Sequence, residues 1–408
     1  MTGTGMDTGP PHAIGPLSKP RMRIAQVAPL AESVPPKLYG GTERVVSWLT
    51  EELVGLGHDV TLFASGDSRT SAKLVPAWPT ALRLNKRFQD PFAGYAALME
   101  VVARNAGEFD VIHCHSDWLH LPVLQRSGVP LVTTLHGRLD LPHVREVTSR
   151  FPKAGFVSIS DNQRIPLPNV NWLGTVHHGM PTDCLHYSPV SERHLVFLGR
   201  ITPEKGPDVA VRWAKAAGLP LRIAAKIPRG ENRYFREHLS PHLDGGAIQF
   251  IGEVDERGKQ DLLGKAAALL FPIDWPEPFG LVMIEAMACG TPVIARPRGS
   301  VPEIIEHGVS GFLVESDSDA AEAISQLSAL DRRQVRDAFE RQFTVRRMAE
   351  QYLTIYRRLA AGEHAPVVIQ VDDSARGTQV LADRTVGELP SFGHGSDRKM
   401  SLPPNRAR

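Results

Sequence analysis

Short apolar runs, each closed by turn residues, recur along most of the chain. In the first part they are "MRIAQVAPL", "DVTLFAS", "DVIHCHS", "PLVTTLH" and "GFVSIS". Runs of this length with turn punctuation predict buried strands. Between them lie segments of helical spacing. In "TERVVSWLTEELVGLG", Val45, Val46, Leu49, Leu53 and Leu56 fall on one helical face, and Gly57 offers a C-terminal stop. Strand and helix in alternation predict a parallel sheet covered on both faces. The rhythm restarts after residue 188 with "HLVFLGRI", "LRIAAKI", "AIQFIGE", "ALLFPI", "TPVIA" and "GFLVES". The chain therefore reads as α/β, with two consecutive doubly wound halves.

The halves are placed at residues 21–185 and 186–345, with the boundary inside "HHGMPTDCLHYSPVSERH". "TVRRMAEQYLTIYRRLAA" predicts a last amphipathic helix, over 346–361, that crosses back to the first half. Residues 1–20 and 362–408 are Gly-, Pro- and polar-rich and are read as tails, "PVVIQV" excepted. Two facing halves put a cleft between the carboxyl ends of their sheets, where open α/β sheets bind ligands.

Composition narrows the classes. Among 408 residues the formal net charge is +1, which lacks the basic excess of a nucleic-acid binder. Cys114, Cys184 and Cys289 are isolated from one another and fit a reducing compartment better than a disulfide framework. No apolar run is long enough to span a bilayer, and the N-terminus has no apolar signal core. The expectation is a cytoplasmic protein.

Three stretches carry candidate chemistry. "YGGTERVV" sets Gly40 and Gly41 before a helix start, where the backbone can approach an anion closely; a plain turn capped by Thr42 is the alternative. "LGRITPEKG" puts Arg200 and Lys205 in a loop at a strand's carboxyl end, able to clamp a diphosphate or, alternatively, to pair with Glu204 in water. In "EPFGLVMIEAMACG", Glu277 precedes a helix predicted to begin near Phe279, and Glu285 lies about two turns inside it. The N–H groups of Phe279, Gly280, Leu281 and Val282 would face an anion, with a carboxylate on either side to accept from hydroxyl pairs. Ribose, diphosphate and sugar have that layout. The alternative is a half-buried Glu285 paired with an arginine.

The spacing E-P-F-G-L-x-x-x-E-A-M-A-x-G-x-P-V resembles retaining glycosyltransferase family 4, of the GT-B fold with two facing Rossmann-like domains. "GRITPEKG" is similar to that family's diphosphate motif and "GSVPEIIEHGVSGFLV" to the end of its donor domain. The likeness spans residues 22 to about 361. It implies that Arg200 and Lys205 hold the diphosphate, Glu285 the ribose and Glu277 the sugar hydroxyls. By the same likeness Gly41 approaches the donor, His136 in "TTLHG" faces the transferring sugar, and His113 lies near the cleft. Members of the family generally transfer on the front side without bound metal or cofactor, the leaving phosphate taking the acceptor proton. The chain has no D-x-D motif at the donor loops, and His113 and His115 on one strand do not make a metal site. His177 and His178 are read as linker-shaping.

The stretch from Pro29 to Ala72 resembles bacterial UDP-glucose:tetrahydrobiopterin glucosyltransferases, which puts UDP-glucose first as donor. The acceptor stays open: small molecule, lipid-linked or polysaccharide. A non-catalytic nucleotide-sugar binder and a GT-B epimerase are the other readings. "WPTALRLNKRF", residues 78–88, mixes apolar anchors with cations and would allow weak peripheral membrane contact. Closure on the donor is expected about residues 178–190 and 344–350.

Overall fold

The computed structural model describes residues 20–37, 40–83, 85, 87, 90–228 and 230–363; the expectations for residues 1–19 and 364–408 lie outside these. The first half builds a seven-stranded sheet from β1 (Arg23–Val27), β2 (Asp59–Ser65), β3 (Lys73–Trp78), β4 (Val111–Cys114), β5 (Leu131–Thr134), β6 (Gly155–Ser158) and β7 (Trp172–Thr175). The second builds a six-stranded sheet from β8 (Leu195–Arg200), β9 (Leu221–Lys226), β10 (Ile248–Gly252), β11 (Ala268–Phe271), β12 (Val293–Ala295) and β13 (Gly311–Leu313). All the strand pairings are parallel.

The strand orders are β3-β2-β1-β4-β5-β6-β7 and β10-β9-β8-β11-β12-β13. Each order reverses once, between β1 and β4 and between β8 and β11. Ligands of open α/β sheets lie outside the carboxyl ends at such reversals. Those four ends lead to Gly40–Gly41, His115, Arg200 and Glu277. Topology alone thus gathers most of the candidate residues.

Two strands were not among those predicted. β3 is an outer strand carrying Pro76, whose missing N–H restricts it to an edge and masks the strand pattern. β7 is the opposite edge, four residues long with a glycine. The first helix runs Gly41–Gly55, burying Val45, Val46, Leu49 and Leu53, and Gly57 follows in the left-handed region at φ 85°.

The last helix, Val345–Ala360, returns to the first sheet. Met348, Tyr352, Leu353 and Tyr356 share a core there with Ile24, Val111 and Val132. The two chain crossings touch. Met180 N–H donates to Phe343 O at 2.9 Å, and Val345 N–H to Met180 O at 2.9 Å. Gly179 lies against the Thr344 carbonyl, with no room for a Cβ.

In the 78–88 segment, Trp78 and Leu82 pack on the first half's core and Ala81 is buried. Arg83 pairs with Glu32 at 3.1 Å. Leu84, Lys86 and Phe88 lie outside the described residues. Among the described residues no helix is long and apolar enough to cross a membrane.

Candidate active site

After β8 the chain makes a single turn, Pro203–Lys205, and then Gly206 at φ 66°. A Cβ on Gly206 would stand 2.5 Å from the Pro272 carbonyl oxygen, so only glycine lets this loop lie against the one leaving β11. Asp274 N–H donates to Glu204 O at 2.9 Å and stitches the two loops together. Lys205 thereby reaches Glu277. Its ammonium is hydrogen-bonded to the Glu277 carboxylate and sits 4.7 Å from the Trp275 ring centre. Trp275 Nε1–H donates to the same carboxylate at 2.8 Å. A buried carboxylate needs such partners. Arg200, at the end of β8, is 3.8 Å from Glu204. Its Nε is buried without a hydrogen-bond partner.

The helix after this loop starts later than the sequence suggests. It runs Leu281–Ala288, with Gly280 at φ 81° before it. Leu281 and Val282 occupy its first turn. Phe279 is buried, 4.8 Å from the His178 ring and 6.2 Å from that of Phe343, so its side chain packs the hinge. The left-handed glycine delays the helix, a conformation that sequence periodicity does not register.

Glu285 is buried inside that helix and pairs with Lys259 at 2.7 Å, not with an arginine. Lys259 also pairs with Glu256 at 3.1 Å, and Glu256 with Arg44 of the first half at 2.8 Å. Burial works against the Lys259 ammonium, but Glu285 and Glu256 outweigh it and its pKa lies above the ordinary lysine value.

In the first half, His136 Nε2 lies 2.9 Å from His115 Nδ1, and the His136 ring stacks on His178 at 5.2 Å. His178 in turn meets Phe279, so ring contacts link His136 to the loop before the glutamate-bearing helix. His113 departs from expectation. It is fully buried, with Nδ1 2.6 Å from Tyr356 Oη and Nε2 2.7 Å from Thr134 Oγ1. Both ring nitrogens are taken, so His113 supports the floor of the cleft and offers nothing to a donor. Burial pushes His136 down to about 3 and His113, His115 and His178 well below the usual histidine value, so these rings are neutral near pH 7.

Contacts cross the cleft elsewhere. A Cβ on Gly41 would stand 3.6 Å from Leu281 Cδ1, so the first helix abuts the start of the glutamate-bearing one. Gly40 is extended, and a Cβ there would meet Pro36 at 2.8 Å; packing, with no strain, selects glycine. Glu303 accepts from the N–H groups of Asp161 and Asn162, both at 2.8 Å, and lies 3.0 Å from His177 Nε2. No local sequence pattern marks Glu303 for this role. Ser160 Oγ donates to Pro278 O at 2.7 Å. Among the described residues no cluster of three or more metal-ligating side chains occurs.

The family model described as "Glycosyl transferases group 1" matches residues 186–342, and "Glycosyltransferase Family 4" matches 39–160. Between them they cover both walls of the cleft. The chain is a glycosyltransferase of the GT-B fold. Among curated relatives, the transferase is 27% identical over 348 residues to the D-inositol 3-phosphate glycosyltransferase of Mycolicibacterium smegmatis, covering 72% of this chain and 79% of the relative. It is 26% identical to the phosphatidyl-myo-inositol mannosyltransferase of the same organism, over 90% and 100% of the two chains. Among solved structures, AviGT4, a glycosyltransferase involved in avilamycin A biosynthesis, superposes on the transferase with a TM-score of 0.64 at 26% identity, over 84% and 98% of the two chains. Sucrose-phosphate synthase of Thermosynechococcus elongatus gives 0.70 at 21% identity, over 84% and 100%, and speaks for the fold alone. These relatives bear inositol-related and other names, so the narrower likeness to tetrahydrobiopterin glucosyltransferases gains no support from them.

Proposed function

We propose that the transferase moves a hexose, with retention of configuration, from a nucleoside diphosphate sugar to a hydroxyl of a polyol. The observation that carries this reading is Lys205 held between Glu277 and Trp275 beside the start of the helix that bears Glu285. Diphosphate offers Lys205 a second anion, while both glutamates remain to accept from hydroxyls. In this reading Arg200, Lys205 and the helix start take the charge of the leaving group. Glu285 accepts from the ribose, Glu277 from the sugar, and His136 faces the sugar from the other wall. The bond from the anomeric carbon to the diphosphate oxygen breaks as the acceptor oxygen bonds to the same face of that carbon. The acceptor's proton passes to the leaving phosphate.

UDP-glucose is the first donor to test. The inositol-related names of two relatives make a ring polyol, free or phosphorylated, the first acceptor class. No metal enters the reading, and chelation should leave turnover unchanged. The experiment is incubation with UDP-, GDP- and ADP-hexoses, with and without inositol and its phosphates, reading free nucleoside diphosphate. Acceptor-dependent release with one donor is the expected result. Donor binding with neither transfer nor slow hydrolysis would overturn the reading in favour of a non-catalytic binder.

A further inference from the structure

One line of hydrogen bonds runs through the first half from the returning helix to the cleft. Tyr352 Oη lies 2.9 Å from Thr134 Oγ1, Thr134 Oγ1 2.7 Å from His113 Nε2, and His113 Nδ1 2.6 Å from Tyr356 Oη. Gln26 Nε2 donates to Tyr356 Oη at 3.2 Å, and Gln26 Oε1 lies 2.8 Å from His115 Nε2. His115 Nδ1 then meets His136 Nε2 at 2.9 Å. All but His136 are buried.

Buried polar lines of this kind have a direction, because each group gives or takes a hydrogen. An amide carbonyl only accepts and its NH2 only donates. With the Gln26 carbonyl toward His115, the Nε2 of His115 carries its hydrogen. A neutral imidazole has one N–H, so His115 Nδ1 is a lone pair and His136 Nε2–H must donate to it. His136 is left with a bare Nδ1, and that atom is buried without a hydrogen-bond partner. A buried polar atom without a partner costs free energy that a ligand's hydroxyl would recover.

We infer that Gln26 and His115 are positioning residues that hold His136 in its Nε2–H form, so that its Nδ1 accepts a hydrogen bond from a hydroxyl of the transferred sugar. The inference rests on the transfer reading above for its ligand and on the hydrogen-bond line for its geometry. Turning the Gln26 amide round reverses the sense of the line and presents an Nδ1–H instead, which would repel no hydroxyl oxygen but would make His136 a donor.

The test uses the full-length protein labelled with 15N-histidine. Long-range 15N–1H spectra at pH 7, with His136 assigned by its absence in His136→Gln, read the tautomer directly. An unprotonated Nδ1 and a protonated Nε2 are expected; a protonated Nδ1 overturns the inference. No donor is needed, so a failure to find any transferred sugar would sink the proposed function and leave this result standing. Steady-state kinetics supply the second arm. Gln26→Leu should lower kcat about tenfold with the donor KM within about twofold. Tyr356→Phe, which spares the Gln26 carbonyl, should lose less. An unchanged kcat in Gln26→Leu, or equal losses in the two variants, overturns the positioning role; equal losses would mean that only the packing of the returning helix was disturbed.

Discussion

On the C-terminal side of the cleft, lysines and carboxylates touch: Lys205 with Glu277, Lys259 with Glu285. On the N-terminal side, imidazoles, an amide and hydroxyls hydrogen-bond without a formal charge among them. The contrast follows the chemistry that each wall would meet. A leaving diphosphate brings negative charge and needs cations, and buried cations need carboxylates whenever no other anion is near. A sugar brings hydroxyls and is met by fixed neutral dipoles at no cost in charge rearrangement. On the proposed function, one wall would exchange partners and the other would stay as it is.

Substitutions on each wall should therefore fail in different ways. The largest effect expected is on stability, from Lys259→Ala. It strands the buried Glu285 carboxylate and should cost about 3 kcal/mol in urea unfolding. Adding Glu285→Ala should restore much of that loss, because the stranded charge goes too. If the double variant is no more stable than Lys259→Ala, the pair is not held by the balance described here.

On the other wall, His136→Ala should lower kcat about a hundredfold while the donor KM moves within about twofold, since a neutral group near the sugar contributes to the transition state more than to nucleotide binding. Steady-state kinetics with whichever nucleotide sugar supports transfer checks it. A KM raised as far as kcat falls would place His136 in nucleotide binding and erase the contrast.

The smallest effect is on pH. His120 is fully buried and pushed down to about 3 by burial. Between pH 6.5 and about 3 the unfolded chain binds a proton at this position that the folded chain refuses. Stability is therefore fully present above pH 6.5 and falls as pH falls through that window, by about 1.4 kcal/mol per pH unit for such a histidine. Urea midpoints measured from pH 7 to 5 should decline, and His120→Asn should lessen the decline by the share of one histidine, with His113, His115, His136 and His178 supplying the rest. A midpoint that rises on acidification contradicts the neutral wall.

The sequence showed the two walls unequally. The strand rhythm and the Gly199–Gly206 and Glu277–Glu285 spacings were readable because short buried strands and loops with fixed partners use few residue types. β3 and β7 were not, because Pro76 and the brevity of β7 hide edge strands. Glu285's pairing with Lys259 is not legible in the sequence, because Lys259 comes from another helix and no local pattern announces a contact across 26 residues. The N-terminal wall was least legible. His113 was marked from resemblance, yet its burial under Tyr356 depends on a helix more than 240 residues away returning to the first sheet. Gln26 sits in a strand with no motif around it. Glu303 carries its role through contacts with Asp161, Asn162 and His177, all of the other half.

The division of labour between the walls is tested most directly by calorimetric titration of a nucleoside diphosphate into the wild type, Glu285→Ala and His136→Ala. The account predicts binding to the wild type, a loss of about tenfold or more in Glu285→Ala from a missing charge-assisted hydrogen bond, and wild-type affinity in His136→Ala. Unchanged affinity in Glu285→Ala, or a matching loss in His136→Ala, would contradict it.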